Sequence, residues 1–148
     1  MIQNLMNQAR EIQQLASRFL YDECDRMYTD IGEWTEVQDR ITQGIDSLTK
    51  LEGDTPEEEA EAALAILMGY AVAVRNNRNI ASTLKRARKV LPKIEDKVLK
   101  CHLTVFCYGE CFDAKLAEEA HRLIGELKNE GKESEVVTVE ALLESYEF

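Results

Sequence analysis

Proline is almost missing from this chain, with two in 148 residues, and glycine is thin, with seven. Few breakers mean few forced interruptions, which suits long regular elements. No apolar run approaches the roughly 18 residues that a membrane-spanning helix needs. The opening residues MIQNLMNQAREIQQ lack the basic head and apolar stretch of a signal peptide. The expected setting is therefore cytoplasmic, with reduced cysteines. Strand signals are also absent: alternation of apolar and polar residues does not persist, and no Asn-Gly hairpin occurs. The chain has no C-x-x-C redox pair, no Gly-rich phosphate loop and no G-x-S-x-G elbow. No catalytic constellation is thus legible from the residues alone.

What is present is an apolar share of 45%, enough for a real core in a domain of this length. The net charge is -10 and unevenly spread. Between Arg75 and Lys100 nine basic residues face only Glu95 and Asp96, a balance of +7, which leaves -17 on the remaining 122 residues. An acidic body argues against general nucleic-acid affinity, since phosphate contacts need a basic surface. The basic island itself reads as a solvated helix face, or as a face for a phosphate or an acidic protein.

Periodicity predicts an all-α, single compact bundle of about six helices with a short C-terminal helix or tail. Ile2, Leu5, Met6, Ala9, Ile12, Ala16, Phe19 and Leu20 step by three and four, giving a first helix to about Glu23. A loop is expected from Asp22 to Gly32. The second helix runs from about Glu33 to Leu51, with Val37, Ile41, Ile45 and Leu48 on one side. Gly44 within it costs about 1 kcal/mol of propensity relative to Ala, so either another helix approaches closely there or the helix is weak. Thr55-Pro56-x-Glu58 is a capping box that opens a third helix to about Asn76. Its middle, AALAILMGYAVAV, is apolar all round, which marks a central buried helix. Asn79 is expected to cap a fourth helix, about Ile80 to Leu91. A fifth follows from Pro92 to Tyr108 and ends at Gly109. Asp113 is expected to cap a sixth, Ala114 to Asn129. Residues 1–130 thus form the helical domain. Residues 131–148 are an acidic tail, either loosely held or forming a short helix capped by Thr138.

The stretch CHLTVFCYGEC holds Cys101, Cys107, Cys111 and His102. Its spacing suits tetrahedral zinc poorly: Cys101-x5-Cys107 is too wide for a usual ligand pair, and Cys107-x3-Cys111 shares a face only on a continuous helix, which Gly109 between them argues against. Cys24 and His121 could complete a site only if the first and sixth helices met. Free cysteine packs as a small hydrophobe, and Leu103, Val105 and Phe106 surround these. A metal-binding or thiol-redox protein centred on Cys107, Cys111 and His121 is therefore an alternative, as is an RNA or DNA binder working through Arg75 to Lys100. Glu118-x-x-His121 is half of a di-iron motif, but it occurs once where two are needed.

The run LKCHLTVFCYGECFDAKLAEEAHRLI, from Leu99 to Ile124, carries more. Leu99, Leu103 and Cys107-Tyr108-Gly109-Glu110, followed by Leu116-Ala117-x-Glu119-Ala120-His121, resemble the signature of the UpxZ family. Thr55-Pro56-Glu57-Glu58-Glu59-Ala60 and Leu67-Met68-Gly69-Tyr70 are similar to its third helix. Leu20-Tyr21 with Tyr28-Thr29-Asp30 is similar to its first loop. Cys111 stands where the family pattern has an aliphatic residue. The resemblance implies an antagonist of transcription antitermination, encoded with capsular-polysaccharide operons of gut bacteria. It would bind NusG-like, UpxY-type factors from non-cognate capsule loci, with no enzymatic step and no membrane contact. Cys107, Gly109, Glu119 and His121 are then structural signature positions. The candidate partner interface takes in Tyr21, Tyr28 and Trp34 near the first loop, Arg75, Arg78 and Arg86 in the basic island, and Tyr108, Glu110 and Phe112 at the fifth turn. A homodimer is a further association that the sequence leaves open.

Overall fold

A computed structural model describes residues 4–21, 31–73 and 79–147. Among these the chain forms seven α-helices and no strand, in agreement with the all-α reading. They are α1 (Leu5–Tyr21), α2 (Ile31–Leu48), α3 (Pro56–Val72), α4 (Ile80–Val90), α5 (Lys97–Cys111), α6 (Ala114–Asn129) and α7 (Val137–Tyr146). Short 3-10 turns at Leu91–Lys93 and Glu133–Glu135 precede α5 and α7. No helix among the described residues is long and apolar enough to cross a membrane.

The third helix is central. Every residue from Ala62 to Tyr70 is buried, which explains a sequence with no polar stripe. Ala62, Ala65, Ile66 and Tyr70 face a core built with α1 and α2. Ala60, Ala63, Leu64, Leu67 and Met68 face a larger core that reaches through α4, α5, α6 and α7. Its start follows the capping box. Thr55 Oγ1 accepts the Glu58 N–H at 3.1 Å and Pro56 occupies the first turn. Glu58 Oε1 reaches back to the Asp54 N–H at 2.9 Å, one residue earlier than the standard box.

The glycine in α2 marks a close helix crossing. A methyl placed on Gly44 would lie 2.6 Å from Ile12 Cγ1, with Ile12 Cδ1 nearer still. Gly69 in α3 plays the same part, since a methyl there would stand 2.7 Å from Ile45 Cδ1.

Several expected boundaries move. The loop from Asp22 lies outside the described residues up to 30, and Gly32 belongs to the first turn of α2. Pro92 does not open the fifth helix but sits in the 3-10 turn. Asp96 caps α5 instead, its carboxylate accepting the Val98 and Leu99 N–H groups at 3.0 and 3.2 Å. Asn79 holds the cap position of α4 without a side-chain bond, and its carbonyl accepts the Thr83 hydroxyl at 2.8 Å. Thr138 is no cap either; α7 starts behind Val136, and Thr138 lies in its first turn. Val136, Val139 and Leu143 are completely buried in the larger core.

The largest correction concerns Gly109. It does not end the fifth helix, which continues to Cys111. The left-handed residue is Phe112, at φ 54°. Gly109 serves a close approach: a methyl there would stand 2.6 Å from Tyr146 Cε2 at the end of α7.

Candidate functional site

The predicted interface residues separate once placed in the fold. Tyr28, Arg75 and Arg78 lie outside the described residues. Tyr21 closes α1 and packs half-buried against the larger core. It lines a groove of about 420 Å³ with Leu20, Val137, Thr138, Ala141, Leu142 and Ser145 of α1 and α7. Burial pushes its hydroxyl pKa up to about 12, and the neighbouring Thr138 side chain offsets only part of that rise. Trp34 is half-buried in the first turn of α2.

Arg86 turns inward. Its guanidinium pairs with the Glu59 carboxylate and donates to the Leu48 carbonyl at 3.0 Å and the Leu51 carbonyl at 2.6 Å. It thus donates to two carbonyls at and just past the end of α2 while tying α4 to the start of α3. Burial alone would raise the Glu59 pKa. Hydrogen bonds from Arg86 and the Gly53 N–H outweigh it and hold the carboxyl below its usual range.

The remaining candidates come together. Phe112 is 58% exposed, one of two large hydrophobic residues open to solvent among the described residues, with Val137. A left-handed backbone costs a bulky L-residue about 1–2 kcal/mol. Here the Phe112 N–H donates to the Tyr108 carbonyl at 2.8 Å, closing the end of α5. Its ring stands edge-on to Tyr108, with centroids 5.4 Å apart at 69°. Glu110 is exposed beside them, and partial desolvation raises its carboxyl pKa.

The next residue joins this turn to the basic island. Asp113 caps α6 through the Lys115 N–H at 2.9 Å, and its other oxygen takes the Arg88 guanidinium at 2.6 Å. Those two donors hold the Asp113 carboxyl below the usual range. From there a groove of about 320 Å³ runs between the α4 end, α5 and α6. Arg88, Leu91, Pro92, Lys100, Thr104, Lys115, Leu116 and Glu119 line it. Lys115 and Leu116 were not among the predicted interface residues. Each is unremarkable alone, and only the pairing of the island with the start of α6 makes them a wall.

The signature residues have structural contacts. Cys107 is fully buried, as is Cys101, and burial pushes both thiol pKa values up to about 12. Cys111 is half-buried one turn after Cys107 on an unbroken helix. Cys24 lies outside the described residues. Among those described, no three His, Cys, Asp or Glu side chains gather in a way that could hold a metal ion. Glu119 pairs with Arg122 on the next turn. His121 Nε2 meets the Glu147 carboxylate at 2.8 Å and ties α6 to the end of α7.

The profile of the UpxZ family of transcription anti-terminator antagonists matches residues 9–109. The fold is similar to the crystal structure of a transcription anti-terminator antagonist UpxZ from Bacteroides uniformis ATCC 8492. The TM-score is 0.84 at 27% identity, over 98% of this chain and 93% of that one. None of the curated proteins compared matches the chain.

Proposed function

The chain belongs to the UpxZ family of transcription anti-terminator antagonists, and on that premise we propose that it acts by capturing anti-termination factors directly. Its targets in this reading are the NusG-like, UpxY-type factors of non-cognate capsular-polysaccharide loci. It works in the cytoplasm, catalyses nothing and needs no cofactor. Capture prevents those factors from sustaining elongation, so that one capsule locus prevails.

The observation that carries this reading is the exposed Phe112 ring, set edge-on against Tyr108 at the α5 end and followed by Asp113, which joins Arg88 to the start of α6. Interfaces centre on an aromatic or arginine anchor inside a polar rim. A rigid anchor loses little conformational freedom on binding, which favours affinity. The cysteines suit a metal or redox role less well, because two of them are sealed in the core with thiols that stay protonated at neutral pH.

Co-purification of the tagged chain with each anti-terminator of its own genome tests the proposal. At least one non-cognate factor is expected to be retained, and its antitermination activity in a reconstituted transcription assay is expected to fall. Phe112→Ala is expected to weaken that capture about tenfold or more while leaving thermal stability near wild type. Size exclusion in the same preparation separates a monomer from a homodimer. Retention of no factor, with antitermination undiminished, refutes the reading.

A further inference from the structure

We infer that the groove bordered by Arg88, Lys100 and Lys115 receives an acidic peptide segment of the antagonised protein; this rests on the capture reading above. The first support is uncompensated charge. Arg88, Lys100 and Lys115 converge on one cleft, and of the three only Arg88 is in an ion pair, with Asp113. Lys100 and Lys115 have no ion pair among the described residues. Both stand in the first turns of their helices, α5 and α6, behind the capping carboxylates of Asp96 and Asp113. A helix dipole is positive at that end, and the single carboxylate at each cap is already engaged by backbone N–H groups. Two such lysines beside one groove concentrate positive potential where an incoming carboxylate relieves it.

The second support is the composition of the walls. Leu91, Pro92 and Leu116 provide an apolar lining, and Arg88 keeps guanidinium donors beyond the one used by Asp113. Glu119 on the wall is already paired with Arg122, and Asp113 beside the groove with Arg88. A carboxylate arriving on a short aliphatic stem would find both an apolar contact and a cation. The volume of about 320 Å³ lies at the small end of binding clefts, roughly 300–1,000 Å³, and suits a few side chains.

The third support is the charge around the groove. Outside Arg75 to Lys100 the chain carries -17, so a long polyanion leaving the groove would run over repelling surface. A short acidic segment on a folded protein avoids this, whereas a nucleic-acid strand does not.

Reversing charge at the groove tests the assignment. Lys100→Glu/Lys115→Glu is compared with Arg10→Glu/Lys50→Glu, an equal charge change at exposed positions on other faces. Both variants are first checked for wild-type helicity and melting. Each is then titrated with the purified anti-terminator that the wild-type chain captures, from about 50 to about 300 mM salt. The groove variant is expected to bind about tenfold or more weakly, with a flatter salt dependence, while the control stays near wild type. Equal binding by the groove variant overturns the inference. So does displacement of the partner by an RNA of about 20 nucleotides from the wild-type chain but not from the groove variant. A wild-type chain that binds no anti-terminator overturns both the groove and the reading beneath it.

Discussion

Replacing Gly44 by alanine sets two effects of similar size against each other. In a solvent-exposed helix the change stabilises by about 1 kcal/mol, because alanine loses less backbone freedom. At this position the added methyl would fall 2.6 Å from Ile12 Cγ1 and closer to Cδ1, well inside van der Waals contact. Ile12 is 2% exposed and packed in the core with α2 and α3, so its side chain must give way there. Overpacking of this kind costs about 1–3 kcal/mol, at the upper end when helices must separate. The net expectation is a loss of about 1–2 kcal/mol, or roughly 3–6 °C in melting temperature for a chain of this size. Urea unfolding monitored by helicity measures it. A second variant identifies the cause. Ile12→Ala removes both clashing atoms and alone costs about 2–5 kcal/mol. Combined with Gly44→Ala it should cost at least about 1 kcal/mol less, because the new methyl fills part of the space. Additive losses, or a Gly44→Ala chain more stable than wild type, would refute the close crossing of α1 and α2.

The other expected outcomes concern the clamp, the thiols and the terminal helix. Arg86→Met removes the cation paired with Glu59, the side-chain donor to the Leu51 carbonyl and one of two donors to the Leu48 carbonyl, and is expected to cost about 2–4 kcal/mol in urea unfolding. Because the folded Glu59 pKa is lowered, its contribution is complete above its ordinary value of 4.5 and disappears as pH falls through the folded value. The gap between wild type and Arg86→Met should therefore narrow on acidification below that point; a gap independent of pH would contradict the clamp. Native-state alkylation at mildly alkaline pH, read by peptide mass mapping, should label Cys111 well before Cys101 or Cys107, whose thiols are buried and raised to about 12. Removing residues from 133 onward deletes Val136, Val139 and Leu143 from the core. That burial is worth roughly 5–9 kcal/mol before the entropy of ordering the helix is deducted, so the truncated chain should lose cooperative melting. A truncated chain that melts as wild type would show residues 131–148 to be a dispensable tail.

The elements legible in the sequence were those governed by their own neighbours. Thr55-Pro56-x-Glu58 carries its helix start in four consecutive residues, and the bond from Thr55 duly forms. The apolar middle of α3 announced its burial without reference to any partner. What escaped depended on residues far along the chain. Gly109 looked like a helix end because glycine tolerates a left-handed backbone, but its lack of a side chain makes room for Tyr146, which is 37 positions away. The strained backbone passed to Phe112, a residue type that offers no local hint of it. Pro92 suited a first helical turn, and Asp96 suited a cap just as well; the buried side chains of Leu91 and Ile94 accompany the second choice. Arg86 was taken for part of an outward basic face because charge alone does not reveal that two carbonyls and Glu59 lie within its reach. The groove required α4, α5 and α6 to be assembled before Lys115 could join Arg88 and Lys100.

The position of α3 between two cores also shapes how the protein is made. Ala9, Ile12, Leu15 and Ala16 of α1 find their main cover on α3, whose last residue is 51 positions beyond the end of α1. At ribosomal speeds of about 5–20 residues per second, the stripe on α1 waits roughly 3–10 s for its partner to be synthesised. Only α2 is available in the interval, and the glycine at its crossing lets the two helices sit close enough to shield each other. The nascent chain therefore gains its first shelter from a helix pair, and the central helix arrives later to seal it and to found the second core.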